Sequence, residues 1–434
     1  MSSWAVVGGG ILGCSIALQL ADDGEQVVLF EGADQLGGLA SAWSLGDIVW
    51  DRHYHVTLAS DRYTRSLLSR VGLEEEINWV ETRTGTWTGG EVRSVSSTLD
   101  YIRYPELTLI EKTRLARTIL SANRTSDWKS LERVTVEKWL RAKSGDGVFE
   151  RFWLPLLKAK LGDAYRETSA AFIWATIQRL YAARSQGMKR ELFGYVPGGY
   201  ARVLELLGEA MVQAGVEVVL GRSVESVREG PSVTTDGVTR RFDHVVVTAS
   251  PPVARHMVHG LTDAEMSNLD AIRYQGIVCA SVLTTRPLQG YYLTYLYDDA
   301  PFTAVVEMSA FVDPVEFGGK SLLYLPKYCA PDDPLHEKTD DEIRAAFLPA
   351  LERIYPEFDA GDVRAFEVSR VRNVFPISTI GYSEKVPSFD TSIEGVHMVS
   401  SAQIVNGTLN VNDTMSLSLR AFEHLRDRAS ERVA

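Results

Sequence analysis

The 434 residues hold only three cysteines, Cys14, Cys279 and Cys329, an odd number scattered over most of the chain. Neither a disulfide framework nor a paired-cysteine zinc site can be built from them, so they read as free thiols in a reducing compartment. Positive charge is in deficit as well: 45 Lys and Arg stand against 57 Asp and Glu, for a net charge of −12. A phosphate backbone is repelled on balance, which argues against nucleic acid as a partner. No apolar run approaches the ~18 residues of a membrane-spanning helix, although that says nothing against a peripheral membrane contact. The strand-like run Trp4–Val7 follows Met1 almost directly and leaves no room for a secretory signal, so a cytoplasmic location is expected. Repeats and low-complexity segments are missing too.

What remains is an ordinary globular composition, 45% hydrophobic and 24% charged, in a chain long enough for two or three domains. Residues 4–31 read as strand, glycine turn, helix and strand, a complete βαβ unit. From about Asp61 to Gly194 apolar residues recur at helical spacing, as in Leu107–Leu120, Val136–Ala142 and Ala170–Ala183. Strand character returns at 216–229 and 243–251. Between 276 and 330, β-rich runs separated by Pro, Gly and Asp predict an antiparallel sheet. A helix is predicted over 340–355, and another from Asn410 to the end, opened by Asn and Asp of capping type.

The chemistry begins at Gly8-Gly9-Gly10-Ile11-Leu12-Gly13, a GxGxxG run that leaves a buried-type strand and opens a helix. Gly8 suits the tight turn, Gly10 lets a pyrophosphate approach the backbone at the helix N-terminus, and Gly13 allows helix to pack on strand. Glu31 ends the second strand, where an acid accepts hydrogen bonds from a ribose 2′-hydroxyl. An isolated glycine turn binds nothing; here strand, glycines, helix, strand and acid coincide, and dinucleotide binding is the expectation. The acid disfavours a 2′-phosphate and so NADP, without separating NAD from FAD.

The segment after Glu31 makes that separation. With its Gly37-Gly38 pair followed by Leu39, Ala40 and Ser41, it resembles the N-terminal signature of the superfamily of flavin-containing amine oxidases, protoporphyrinogen oxidases and phytoene desaturases. UDP-galactopyranose mutase is a more distant relative of that fold. The likeness runs through nearly the whole chain and is greatest to a bacterial branch with a WxPLLxxKxG element, here Trp153 to Gly162. Further landmarks are Pro197-Gly198-Gly199-Tyr200, the Val218 to Val224 strand and turn, Thr248-Ala249-Ser250-Pro251-Pro252, Tyr324-Leu325-Pro326-Lys327-Tyr328 and a late Ser-Ala-Gln segment.

The resemblance implies an α/β fold, with a Rossmann-like FAD-binding domain, an inserted helical region and a mixed β-sheet substrate domain. The FAD-binding domain is expected in three parts, 1–60, 195–275 and 385–434, with a helical substrate or cap region at 61–194 and the substrate-domain sheet and helix at 276–384. It implies an extended FAD, with Gly8, Gly10, Ile11, Leu12 and Gly13 at the pyrophosphate, Glu31 at the adenosine ribose, Gly37, Gly38, Leu39 and Ala40 near the flavin and the Val224 backbone at the adenine. Two positions depart from the family. Ser400-Ser401 replaces the usual Gly-Asp pair before the last helix, leaving Asn412 and Thr414 as candidates for neutral hydrogen bonds in place of the acidic contact to the flavin sugar. The Arg often found after the paired glycines is Leu39. Cys14 lies beside the phosphate turn and away from the expected ring, so the FAD is expected to be non-covalent.

Catalytic candidates are weaker. Within Asp51-Arg52-His53-Tyr54-His55 the family brings this segment near the ring, and His53 and His55 are able to exchange protons near neutral pH; equally they serve as hydrogen-bonded structural groups on one side of a strand. Metal binding is not expected, because two His without further partners at ligand spacing make an incomplete site. Lys327 lies in a predicted strand, as does a water-orienting Lys of several amine oxidases, though strand lysines more often face solvent. The implied reaction is hydride transfer from a C–H of a small-molecule substrate to flavin N5 in an oxidase, dehydrogenase or desaturase. The alternative is a non-redox flavoenzyme, an isomerase or a mutase like the UDP-galactopyranose enzyme; against it, the sequence identifies no Arg pair to grip a nucleotide diphosphate, although Arg370 and Arg372 are spaced to face one side of a strand.

Overall fold

A computed structural model of the protein describes residues 1–96, 100, 104–184, 192–405 and 407–433. At its centre a five-stranded sheet is assembled from distant parts of the chain. Its order is Glu217–Val219, Gln26–Phe30, Ser3–Val7, His244–Val247 and Val396–Met398, and every neighbouring pair is parallel. The inner strands are buried on both faces, which is why Trp4–Val7 and His244–Val247 read as unbroken apolar runs.

Helix Ile11–Asp22 connects the first two strands and is apolar almost all round. Its environment explains this: the C-terminal helix Val411–Val433 and helix Gly199–Gln213 cover the sides that the sheet leaves open. Leu12, Ile16, Leu20, Leu207, Leu417 and Leu425 share this core. On the other face of the sheet, Val28, Val245 and Val247 pack against Val227 and Val233 of an antiparallel meander, Val224–Arg228, Ser232–Thr235 and Val238–Arg241.

A second sheet of seven strands runs Val363–Pro376, Tyr274–Thr284, Ser321–Cys329, Ala304–Glu307, Leu293–Leu296, Thr84–Thr88 and Glu91–Ser94. It is mixed: strand Leu293–Leu296 pairs parallel with Thr84–Thr88, and the other neighbours are antiparallel. The 61–194 stretch is therefore not helical throughout, for its strands complete the edge of this sheet, and Asn78–Glu81 pairs with Leu192–Tyr195. Those strands are four or five residues long, too short for alternation to register in sequence, and the partners of Asn78–Glu81 and Thr84–Thr88, Leu192–Tyr195 and Leu293–Leu296, are distant in the chain, so that only the tertiary fold supplies them. The other described elements of the stretch are helices, with Leu115, Leu140, Phe149, Trp153 and Leu157 forming their own core. One face of the large sheet carries helix Asp340–Ile354, and the other receives the hairpin Ala42–Leu45 and Ile48–Asp51. No described helix is long and apolar enough to cross a membrane.

Candidate functional site

The glycines of the first turn divide the labour as their spacing predicts. Gly8 has φ +111°, a conformation L side chains avoid, and a Cβ there would come within 2.5 Å of Thr248 Oγ1. That hydroxyl donates to Val7 O at 2.9 Å and locks the turn. A Cβ on Gly13 would stand 1.9 Å from Gly8 O, so this position is what lets the helix close on the strand. Gly10 differs: the nearest atom to its Cβ would be Gly37 O at 4.0 Å. Its side faces open space at the N-terminus of Ile11–Asp22, where no side chain caps the helix and no acid occupies the first turn. Free N–H groups and the positive end of a helix dipole are thus presented to an open cradle, which fits a dinucleotide pyrophosphate.

The Gly37-Gly38 pair forms the wall of that cradle. Gly37 (φ +119°) donates its N–H to Gly9 O at 2.8 Å, and Gly38 (φ +56°) would drive a Cβ to 3.2 Å from Gly10 Cα. Two glycine backbones touch here because neither carries a side chain. Leu39 and Ala40 continue as a short 3-10 turn, Ala40 buried and Leu39 half-buried. Glu31 sits at the end of its strand and accepts from Gly9 N at 2.6 Å and Ala33 N at 2.8 Å, which ties the acid to the glycine turn. Arg222 N donates to Glu31 O and Gly221 N to Ala33 O, so the chain entering Val224 passes beside the acid. Cys14 donates to Gly9 O at 3.2 Å, and burial, with the Glu31 charge, pushes its thiol up to about 12. All three cysteines are buried and free.

Beyond the glycine pair, Arg52 N donates to Ser41 O at 2.9 Å, so the segment 52–55 starts beside the cradle. The strand ends at Asp51, and the two histidines diverge instead of sharing one side. His53 Nε2 meets Ser369 Oγ at 3.2 Å on the substrate sheet, where burial, aided by His55 and Arg52, pushes its pKa down to about 3. It is neutral at pH 7 and acts as a hydrogen-bonding group, not as an acid. His55 turns toward helix Gly199–Gln213, its ring 4.8 Å from that of Tyr200. Its Nδ1 lies 3.6 Å from Asp51 Oδ2, beyond hydrogen-bond range, which leaves an electrostatic contact only. Arg52 Nε is likewise buried without a hydrogen-bond partner among the described residues.

Asp51 is the hub of this corner, a role not read from the sequence. Its buried carboxylate accepts from Tyr200 N at 2.7 Å, and Tyr324 donates its hydroxyl to Asp51 O. In Pro197-Gly198-Gly199-Tyr200 the second glycine is required by this contact, for a Cβ on Gly199 would stand 2.8 Å from Asp51 Oδ1.

Lys327 is not where its candidacy requires. Strand Ser321–Cys329 alternates, and Lys327 shares the face of Leu323 and Leu325, toward helix Asp340–Ile354. Tyr324 and Tyr328 project to the opposite face, where Tyr54 and Tyr328 bring their hydroxyls within 2.9 Å. The lysine that reaches this face is Lys160, whose ammonium donates to Tyr328 Oη at 2.7 Å and lies over the rings of Tyr328 and Phe375. The signal for it was the K of the WxPLLxxKxG element. Burial and the neighbouring Tyr328 push the Tyr54 hydroxyl well above its ordinary range. Asn412 and Thr414 are also placed otherwise than expected: Asn412 Oδ1 accepts from Tyr63 N at 2.9 Å, and Thr414 Oγ1 donates to Asn410 O at 2.8 Å. Both side chains serve helix ends, because the helix N-terminus that holds them abuts another. Ser400 and Gln403 bond to each other in a capping box.

A dinucleotide cradle on a parallel sheet, facing an aromatic-lined second sheet, defines the class of two-domain flavoproteins. The comparisons place the chain within it. It belongs to the family described as flavin containing amine oxidoreductase, which matches residues 13–408, and as a member it is an FAD-dependent oxidoreductase. A zeta-carotene desaturase from Synechocystis is 23% identical over 413 residues, covering 81% of this chain and 82% of the relative. Among solved structures, wild-type putrescine oxidase bound to putrescine superposes with a TM-score of 0.75 at 17% identity, covering 98% and 99% of the two chains. Reduced UDP-galactopyranose mutase gives 0.77 at 13% identity, covering 98% and 96%. Oxidase and mutase share this fold, so the fold by itself selects neither chemistry.

Proposed function

We propose that the protein carries out a two-electron oxidation of a small-molecule substrate, taking hydride from a C–H bond. The observation that carries the reading is the open side of Gly10 at an uncapped helix N-terminus, with Glu31 bonded to the same turn. Gly8, Gly10, Ile11, Leu12 and Gly13 would hold the pyrophosphate, Glu31 the adenosine ribose, the backbone at Val224 the adenine, and Gly37 to Ala40 the approach to the ring. When bound, the flavin supplies the acceptor for the electron pair. The protein contributes orientation and exclusion of water: Asp51 fixes the segment 52–55, neutral His53 offers a hydrogen bond without a charge, and Tyr54, Tyr324 and Tyr328 form the aromatic wall. Cys14 lies buried beside the phosphate turn, away from the expected ring, which supports a non-covalent FAD.

The mutase alternative finds no diphosphate clamp in Arg370 and Arg372. Arg370 is engaged with Asp340 and Lys338 O, and Arg372 with Glu337 and Pro331 O, so neither is free to grip a diphosphate. The test is an absorbance spectrum of the purified protein, then anaerobic dithionite reduction and readmission of air. Near-stoichiometric flavin that bleaches reversibly, and is released entirely by acid, is the expected result. A colourless protein that takes up no added FAD overturns the reading.

A further inference from the structure

The helix Leu109–Arg124 is amphipathic on its inner side, where Leu115, Thr118 and Ala122 are buried against the helical region. Its outer side should then be polar throughout, yet an apolar line runs along it. Leu109 is 74% exposed, Ile110 68% and Leu120 45%. Leu109, Ala116 and Leu120 recur at helical spacing along the outward line, with Thr113 between them, and all four are exposed. The apolar stripe spans about 16 Å at 1.5 Å per residue.

The charge around this stripe is opposite to that of the molecule. The helix carries Lys112, Arg114, Arg117 and Arg124 against the single acid Glu111, in a chain of net charge −12. Glu111 is withdrawn from the outward face: it closes the capping box with Thr108 and pairs with Arg151. Arg114, Arg117 and Arg124 are exposed on or beside the apolar line. Leucine and isoleucine flanked by arginines on the outer side of a helix is the pattern of an interfacial helix: the apolar side chains enter the acyl boundary while the cations meet lipid phosphates. A solvated helix has no reason to display adjacent leucine and isoleucine at its first turn.

We propose that Leu109–Arg124 is a docking surface for an anionic phospholipid membrane. The remaining surface, acidic on balance, is repelled by such a membrane, so the basic stripe also sets the orientation in which the protein lands. This rests on the helix alone and not on the identity of the flavin reaction.

The experiment is co-sedimentation of the full-length, flavin-loaded protein with vesicles of phosphatidylcholine alone and of phosphatidylcholine with phosphatidylglycerol. Binding is expected to the anionic vesicles, weaker in high salt and on neutral lipid. The Leu109→Ser, Ile110→Ser, Leu120→Ser variant is expected to lose at least about tenfold in partitioning, as is Arg117→Glu with Arg124→Glu. Flavin content and melting temperature, measured in parallel, should not move, because these side chains contribute little to the core. Failure of the wild type to bind either vesicle overturns the proposal, as does binding that both variants retain. A wild-type dimer that the triple serine variant converts to monomer also overturns it, since the stripe would then be covered by a second copy.

Discussion

Single residues decide whether the cradle forms and whether it stays open. Gly13 and Gly10 look alike in the motif, yet the structure sets them apart: one would press a methyl group into Gly8 O, the other would project it into the cradle. Gly13→Ala is therefore expected to destabilise the protein severely, by at least about 2 kcal/mol as overpacking against backbone does. Gly10 has φ −70°, which alanine adopts without strain. Gly10→Ala should then melt within about 2 °C of the wild type as apoprotein while binding flavin at least about tenfold more weakly. Thermal denaturation and flavin titration of the two variants check this, and equal loss of flavin with equal loss of stability would remove the case for Gly10 as a ligand-facing position. The motif and its acid were legible from sequence because strand, turn and helix are contiguous. The hub role of Asp51 was not, since its partner Tyr200 lies 149 residues away.

At the scale of elements, the C-terminal helix is tied to the central sheet by a cluster remote from the cradle. Asp390 meets His397 Nδ1 at 3.0 Å, His424 Nε2 at 2.9 Å and Arg428 Nε at 3.0 Å, and His397 lies against His244, which stacks on Trp4. Burial pushes His397 down to about 4, against the pull of Asp390, so it is neutral in the folded protein at pH 7. A histidine whose pKa falls on folding contributes its full stability above its unfolded value near 6.5, and loses it as pH drops toward the folded value. Burial works to raise Asp390, but His424, His397 and Arg428 together hold it below the ordinary carboxylate range, so its own contribution is lost only at more acid pH. Acidification from about pH 6.5 to 4 should cost of order 3 kcal/mol through His397. Melting temperatures across that range should fall for the wild type and fall less steeply for His397→Gln; parallel curves would refute the assignment. The short strands Asn78–Glu81 and Thr84–Thr88 were illegible for a related reason: a four- or five-residue strand has no identity until a partner pairs with it.

For the whole molecule, the insertion is not a removable cap. Thr84–Thr88 covers the edge of Leu293–Leu296, and Lys160 reaches across to Tyr328 from the helical part. Deleting residues 61–194 would expose a strand edge and strip the aromatic wall of its cation, so the shortened chain is expected to aggregate, with little monomer by size exclusion. A soluble, flavin-binding remainder would show instead that the insertion is an independent cap. The sequence by itself determined the glycine turn with its acid, the βαβ unit that carries them and the family, because each rests on runs of residues whose spacing encodes their neighbours. The tertiary structure alone decided that Lys160 and not Lys327 reaches Tyr328, that His53 and His55 part company, and that Asn412 serves a neighbouring helix. Each of those depends on which face of one element meets another, and strand parity and helix docking fix that only once the two sheets are assembled.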